Sequence, residues 1–213
     1  MKITYSIISF TFFILTSLLF AEQPVSVVID PGHGGNDTGA RGTYIENGKE
    51  KTLAEKDIAL TISQKLYTLL NQKYSDAHIL LTRTDDTYLT FEERNDKISK
   101  DRRTDSLFIS IHNNASFDTS INGFKVFVNT ANKKNKLLAD SVCVGLNKTI
   151  GSKMKNLGVS ELPFSTKNKT DIIIEVGFLS NQSDILLLSD DEFLSLCANG
   201  IAEGIKTASA KKI

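Results

Sequence analysis

The sequence predicts an α/β domain: three-layer, with a mostly parallel mixed sheet flanked by helices. Three observations carry this. Short apolar, β-branched runs recur at residues 27–29, 107–111 and 172–174; runs of this length and kind read as buried strands. Between them lie longer stretches with apolar residues at helical spacing: Ile58, Ile62, Leu66, Leu69 and Leu70, then Leu137, Leu138, Val142 and Leu146. Strands alternating with helices argue for crossover units and a parallel sheet. At 213 residues and 40% apolar, the chain suits one core and one domain, placed at residues 25–208.

Taken in order, residues 1–21 have the pattern of a secretory signal peptide. Lys2 supplies the positive start, an apolar stretch runs from Ile7 to Phe20, and Ala21 precedes polar Glu22-Gln23. That stretch is short for a transmembrane helix, although an uncleaved anchor is the alternative. The expected destination is the periplasm or the cell wall, with no membrane attachment after cleavage. Lys+Arg and Asp+Glu balance at 25 each, so bulk charge gives no reason to expect a nucleic acid partner. A monomer is expected.

The first strand runs into Asp30-Pro31-Gly32-His33-Gly34-Gly35. Pro31 and the glycines end it and turn the chain tightly. His33 is thus held just past a strand end, where open α/β sheets place ligands. A turn that happens to contain a histidine would look the same. Residues 34–52 read as a polar, Gly-rich loop without periodicity. Glu55-Lys56-Asp57 opens a helix reaching Asn71. Glu55 there is either an acid favoured by the helix dipole or a carboxylate pointing back toward His33.

Residues 77–82 read as the next strand. His78 at its start lies on the edge away from the loops and reads as structural or exposed. Thr90-Phe91-Glu92-Glu93 is a capping box for a helix over residues 91–100, and Arg94 on it reads as a salt-bridge partner. The strand at 107–111 leads directly into His112-Asn113-Asn114. Residues 124–128 alternate as an antiparallel or edge strand, and a helix follows over 132–150. Residues 151–170 read as irregular and basic, a solvated loop or a rim over the site. The strand at 172–174 ends in Glu175, and Gly177-Phe178-Leu179-Ser180-Asn181 turns the chain away. The last helix covers 191–208. Cys143 and Cys197 lie on apolar helical faces, as two buried thiols or as a disulfide.

Three strands therefore deliver His33, His112 and Glu175 to one sheet edge, beside a helix start that offers Glu55. Two imidazoles and a carboxylate form a three-ligand zinc site with a fourth position for water. A carboxylate flanked by Ile172-Ile173-Ile174 has its pKa raised by burial. That suits Glu175 to shuttle a proton from the water to a leaving amine.

These residues resemble the zinc-dependent N-acetylmuramoyl-L-alanine amidases of the amidase-3 family. The resemblance covers residues 25–208. It is carried by Val28-Ile29-Asp30-Pro31-Gly32-His33-Gly34-Gly35, Glu55-Lys56-Asp57, Leu81-Thr82-Arg83, Asp105, Ser110-Ile111-His112-Asn113-Asn114-Ala115, and Glu175-Val176-Gly177-Phe178-Leu179-Ser180-Asn181. It implies one Zn2+ per chain on His33, Glu55 and His112, choosing Glu55 over Glu46 and Glu50. It implies Glu175 as the catalytic residue, and hydrolysis of the amide between N-acetylmuramic acid and L-alanine in peptidoglycan. The glycines beside His33 are then expected to leave room for a glycopeptide. Three positions depart from the family pattern: Ile98 and Ser99, where Ala-Asn is more usual, and Thr170, where proline is common. No self-inhibitory helix is expected between His112 and Glu175, and no separate wall-binding domain. The alternatives are a non-catalytic peptidoglycan-binding module and a zinc peptidase acting within the stem peptide. An activator or targeting partner is not identified by the sequence.

Overall fold

The computed structural model describes residues 26–74, 76–100, 106–130, 133–162 and 170–211. The signal segment, Asp105 and residues 163–169 lie outside the described residues. In chain order the elements are β1 (Ser26–Pro31), β2 (Arg41–Glu46), β3 (Lys49–Ala54), α1 (Glu55–Lys73), β4 (His78–Leu81), α2 (Phe91–Lys100), β5 (Leu107–Asn114), β6 (Phe124–Val128), α3 (Lys133–Ile150), β7 (Asn156–Glu161), β8 (Ile172–Phe178), α4 (Gln182–Leu188) and α5 (Asp191–Ala210). Six strands form one sheet, ordered β4-β1-β5-β8-β6-β7. The first four are mutually parallel, β6 runs antiparallel to β8, and β7 runs parallel to β6. No helix among the described residues is long and apolar enough to cross a membrane.

Side-chain alternation divides the sheet into two unlike faces. Val27, Ile29, Ile109, Ile111, Val126, Ile172 and Ile174 pack in one cluster with Ile62 and Leu66 of α1, Val142 and Leu146 of α3, and Ile201 and Ile205 of α5. Each such side chain contributes roughly 1.5–3 kcal/mol relative to exposure. The other face carries Asp30 and Ser110, and α2 reaches it through Arg94. One guanidinium nitrogen of Arg94 stands 2.5 Å from Asp30 Oδ1, so the salt-bridge reading of Arg94 holds. Further along this face His112, Ile173, Glu175, Lys125 and Phe127 are only partly buried.

Several elements differ from expectation. The polar stretch read as a loop over 34–52 contains the β2-β3 hairpin, joined by Asn47 (φ 51°) and Gly48 (φ 73°). Two successive positive φ angles at Asn-Gly make a two-residue hairpin turn that matches strand twist. The strands escape a periodicity test because most of their residues are exposed and polar. The segment read as irregular contains β7. Gly158 (φ 78°) sits where the pairing with β6 shifts register, and this bulge hides the alternation. Strand β8 does not stop at Glu175 but runs on through Phe178. The short helix α4 follows, capped by Asn181 Oδ1, which accepts from the amides of Ser183 and Asp184. Cys143 and Cys197 are both free and buried, and burial pushes the Cys197 thiol strongly up. His78 pairs with Ser26 at the start of β1, at the sheet end away from His33.

Candidate metal centre

The carboxyl end of β1 breaks into a turn in which His33 itself takes φ 59°. A non-glycine residue there costs roughly 1–2 kcal/mol, and the surroundings hold it. Arg94 donates to the carbonyls of Pro31 (2.9 Å) and His33 (2.7 Å). Arg83 donates to those of Pro31 (3.1 Å) and Gly32 (2.7 Å). Both arginines thus satisfy carbonyls at the end of β1 and in the turn beyond it.

The hairpin returns the chain to the same turn. Ala40 and Glu55 close its base: the Glu55 amide donates to Ala40 O at 2.9 Å, and the Ala40 amide donates to Glu55 Oε2 at 2.8 Å. Glu55 opens α1, where the dipole favours a carboxylate, yet it is only 4% exposed. It is therefore not a surface acid. Its Oε1 lies 3.0 Å from His33 Nε2 and 2.8 Å from His112 Nδ1, and accepts from the Asn113 amide at 3.1 Å. Burial pushes the Glu55 carboxyl up, but the hydrogen bonds with His112 and His33 outweigh it and hold the group well below the usual carboxylate range. The two imidazole rings meet edge to face with centroids 4.9 Å apart.

His33, Glu55 and His112 each offer a ligand atom, and these atoms lie within 4.8 Å of one another. Two nitrogens and one oxygen suit zinc. The outer shell fits as well. His33 Nδ1 is 2.9 Å from Asp37 Oδ2, a carboxylate that orients the ring and leaves Nε2 facing inward. Against the lowering effect of burial, hydrogen bonds with Glu55 and Asp37 raise the His33 pKa. Sequence reasoning did not pick out Asp37; its spacing of four from His33 was the available signal.

The glycines around His33 lie close to other parts of the chain. A Cβ on Gly32 would come within 2.3 Å of His112 Cε1, and one on Gly39 within 2.5 Å of Glu55 Oε2. Gly32 and Gly39 thus make room for side chains of the candidate site, while beside His33 a Cβ on Gly34 would meet the Thr87 carbonyl at 2.2 Å and one on Gly35 the Tyr88 Cβ at 3.0 Å.

Glu175 sits on β8 in register with His112 on β5. Its Oε2 is buried with no hydrogen-bond partner. Burial raises its pKa, partly opposed by the nearby His112. The four residues singled out in the sequence therefore come together at one end of the sheet. Lys153 and Lys155 lie at the same end, because Asn156 pairs with Phe124 and Phe124 with Val176.

Fold and cluster together define an α/β domain with a candidate metal site at the carboxyl ends of parallel strands. The chain belongs to the amidase-3 family of N-acetylmuramoyl-L-alanine amidases, whose family model matches residues 27–207. It is 32% identical over 186 residues to a Staphylococcus epidermidis protein named probable cell wall amidase LytH, covering 85% of this chain and 57% of that protein. The LytH protein of Staphylococcus aureus is also 32% identical, over 189 residues, covering 86% and 58%. The chain thus spans less than two thirds of the length of these curated relatives. Among solved structures, the N-acetylmuramoyl-L-alanine amidase AmiC2 of Nostoc punctiforme superposes with a TM-score of 0.72 at 30% identity, covering 85% of this chain and 95% of that one. An N-acetylmuramoyl-L-alanine amidase of Clostridium difficile 630 gives 0.75 at 28%, covering 89% and 99%.

Proposed function

We propose that this chain hydrolyses the amide between N-acetylmuramic acid and L-alanine in peptidoglycan, using one Zn2+ held by His33, Glu55 and His112. Glu175 acts as general acid/base. One observation carries the reading: three ligand side chains converge within 4.8 Å beside a carboxylate whose buried oxygen has no partner. The names of the relatives and of the solved structures supply the substrate.

Zinc, when bound, polarises the scissile carbonyl and lowers the pKa of a water toward about 7. Everything else falls to the chain. Asp37 fixes the His33 ring with Nε2 inward, and Glu55 holds both imidazoles against the same oxygen. The Glu175 carboxylate takes the proton of the attacking water and returns it to the leaving nitrogen. Its raised pKa makes it a better base for the first transfer. One C–O bond forms and the C–N bond breaks. The products are a muramoyl carboxylate and a stem peptide with a free L-alanine amine.

Residues 1–21 direct export in this reading, and the mature protein works on the wall as a monomer. The test is digestion of purified peptidoglycan with products identified by mass. Intact stem peptides with a free L-alanine amine support the amidase. Cuts only within the stem point to a peptidase, and binding without release points to a non-catalytic module.

A further inference from the structure

We infer that Lys125 is a specificity residue that anchors a carboxylate of the stem peptide, an inference that rests on the amidase reading. Two strand registers put it in place. His112 on β5 pairs with Glu175 on β8, and Glu175 pairs with Lys125 on β6. Paired residues project from the same face of a sheet. His112, Glu175 and Lys125 therefore form a row across three neighbouring strands, each about 5 Å from the next. All three are partly exposed, whereas the opposite face is packed against helices.

The row gives the substrate a direction. Glu175 must reach the leaving nitrogen to protonate it. The amine half of the substrate then lies on the β8 side of His33 and His112, and the sugar half on the β1 side. A stem peptide continuing past Glu175 next meets β6, where Lys125 stands on the same face.

The ammonium of Lys125 has no carboxylate partner among the described residues. It does not pair with Glu175, its direct cross-strand neighbour. It lies 5.1 Å from the centroid of the Phe127 ring, two positions along the same strand. A cation resting on a ring face is held weakly, and its N–H donors stay open. Peptidoglycan stems carry carboxylates at the second residue and at the C-terminus. A charge-assisted hydrogen bond from Lys125 to one of them favours a free carboxylate over its amide.

The experiment uses the purified full chain loaded with zinc and three soluble muramoyl peptides: one unmodified, one amidated at the second residue, one amidated at the C-terminus. Wild type is expected to show a KM about tenfold higher for one of the two amidated stems, and which one identifies the carboxylate. Lys125→Met should raise KM about tenfold on every stem that keeps this carboxylate. It should leave kcat, and the KM of the stem lacking it, unchanged. Lys125→Arg should keep the preference. Equal KM values for all three stems with wild type overturn the inference, as does a Lys125→Met loss of equal size on all three. If wild type cuts none of them at the muramoyl–alanine bond, the amidase reading itself falls, and this inference with it.

Discussion

His33 Nε2 and His112 Nδ1 converge on a single oxygen, Glu55 Oε1, at 3.0 and 2.8 Å. One histidine stands in the turn after β1 and the other on β5, and the glutamate comes from a helix delivered by a hairpin. One carboxylate oxygen is thus the meeting point of three separate parts of the chain. Replacing it leaves two imidazoles without their common partner. Glu55→Gln is expected to weaken zinc binding at least about a hundredfold, read by competition against a calibrated chelator.

Asp37 acts one step further out. It is largely exposed, so its removal should hardly disturb folding. Asp37→Ala is expected to lower zinc affinity by about 10–100-fold with little change in Tm. A fall in Tm equal to that of a core substitution would assign Asp37 a structural role instead.

Glu175→Gln keeps the shape of the side chain and removes its proton chemistry. Turnover of muramoyl peptide should fall by about 10²–10⁴-fold, while metal analysis still finds one zinc per chain. Loss of zinc from this variant would exchange the roles assigned to Glu55 and Glu175.

The same substitution reports on pH and stability. Burial raises the Glu175 pKa in the folded chain, so the folded state binds its proton more tightly than the unfolded state does. Its contribution to stability is present at acid pH and is lost as pH rises through the folded-state pKa. In metal-free protein, Glu175→Gln should therefore have a Tm a few degrees above wild type at pH 7. The gap should close on acidification to about pH 4, near the ordinary glutamate value. Thermal melts at a series of pH values test this, and a gap that widens on acidification contradicts it.

Arg94 pairs with Asp30, which is only 5% exposed, and also donates to the His33 carbonyl. Arg94→Leu strands a buried carboxylate and is expected to cost about 3–5 kcal/mol of stability in urea unfolding. Because the left-handed turn at His33 loses its anchor, zinc affinity should fall along with stability. Asp30→Asn should cost stability while leaving the Arg94–His33 contact in place.

The parts of the fold legible in the sequence were those in which one physical constraint acts alone. Strands β1, β5 and β8 are buried in the sheet centre, so they announce themselves as apolar runs. Their carboxyl ends share an edge, which is why the sequence alone brings His33, His112 and Glu175 together. The β2-β3 hairpin was hidden because its side chains face solvent and only Asn47-Gly48 marks its turn. Strand β7 was hidden by the bulge at Gly158. The aim of Arg94 at backbone carbonyls depends on how α2 lies against β1, and no local pattern encodes that.

The two hydrogen bonds between Ala40 and Glu55 have one more consequence. The chain leaves the centre at one of these residues and re-enters at the other, with both ends tied together. What lies between rests on α4, where Gln182 Nε2 donates to Thr43 O at 3.0 Å, but the tip at Asn47 and Gly48 stands clear: a Cβ on Gly48 would meet nothing within 4 Å. The tip is therefore a port where extra sequence can be grafted: a peptide inserted between Asn47 and Gly48 should lengthen the excursion without changing how tightly the ion is held.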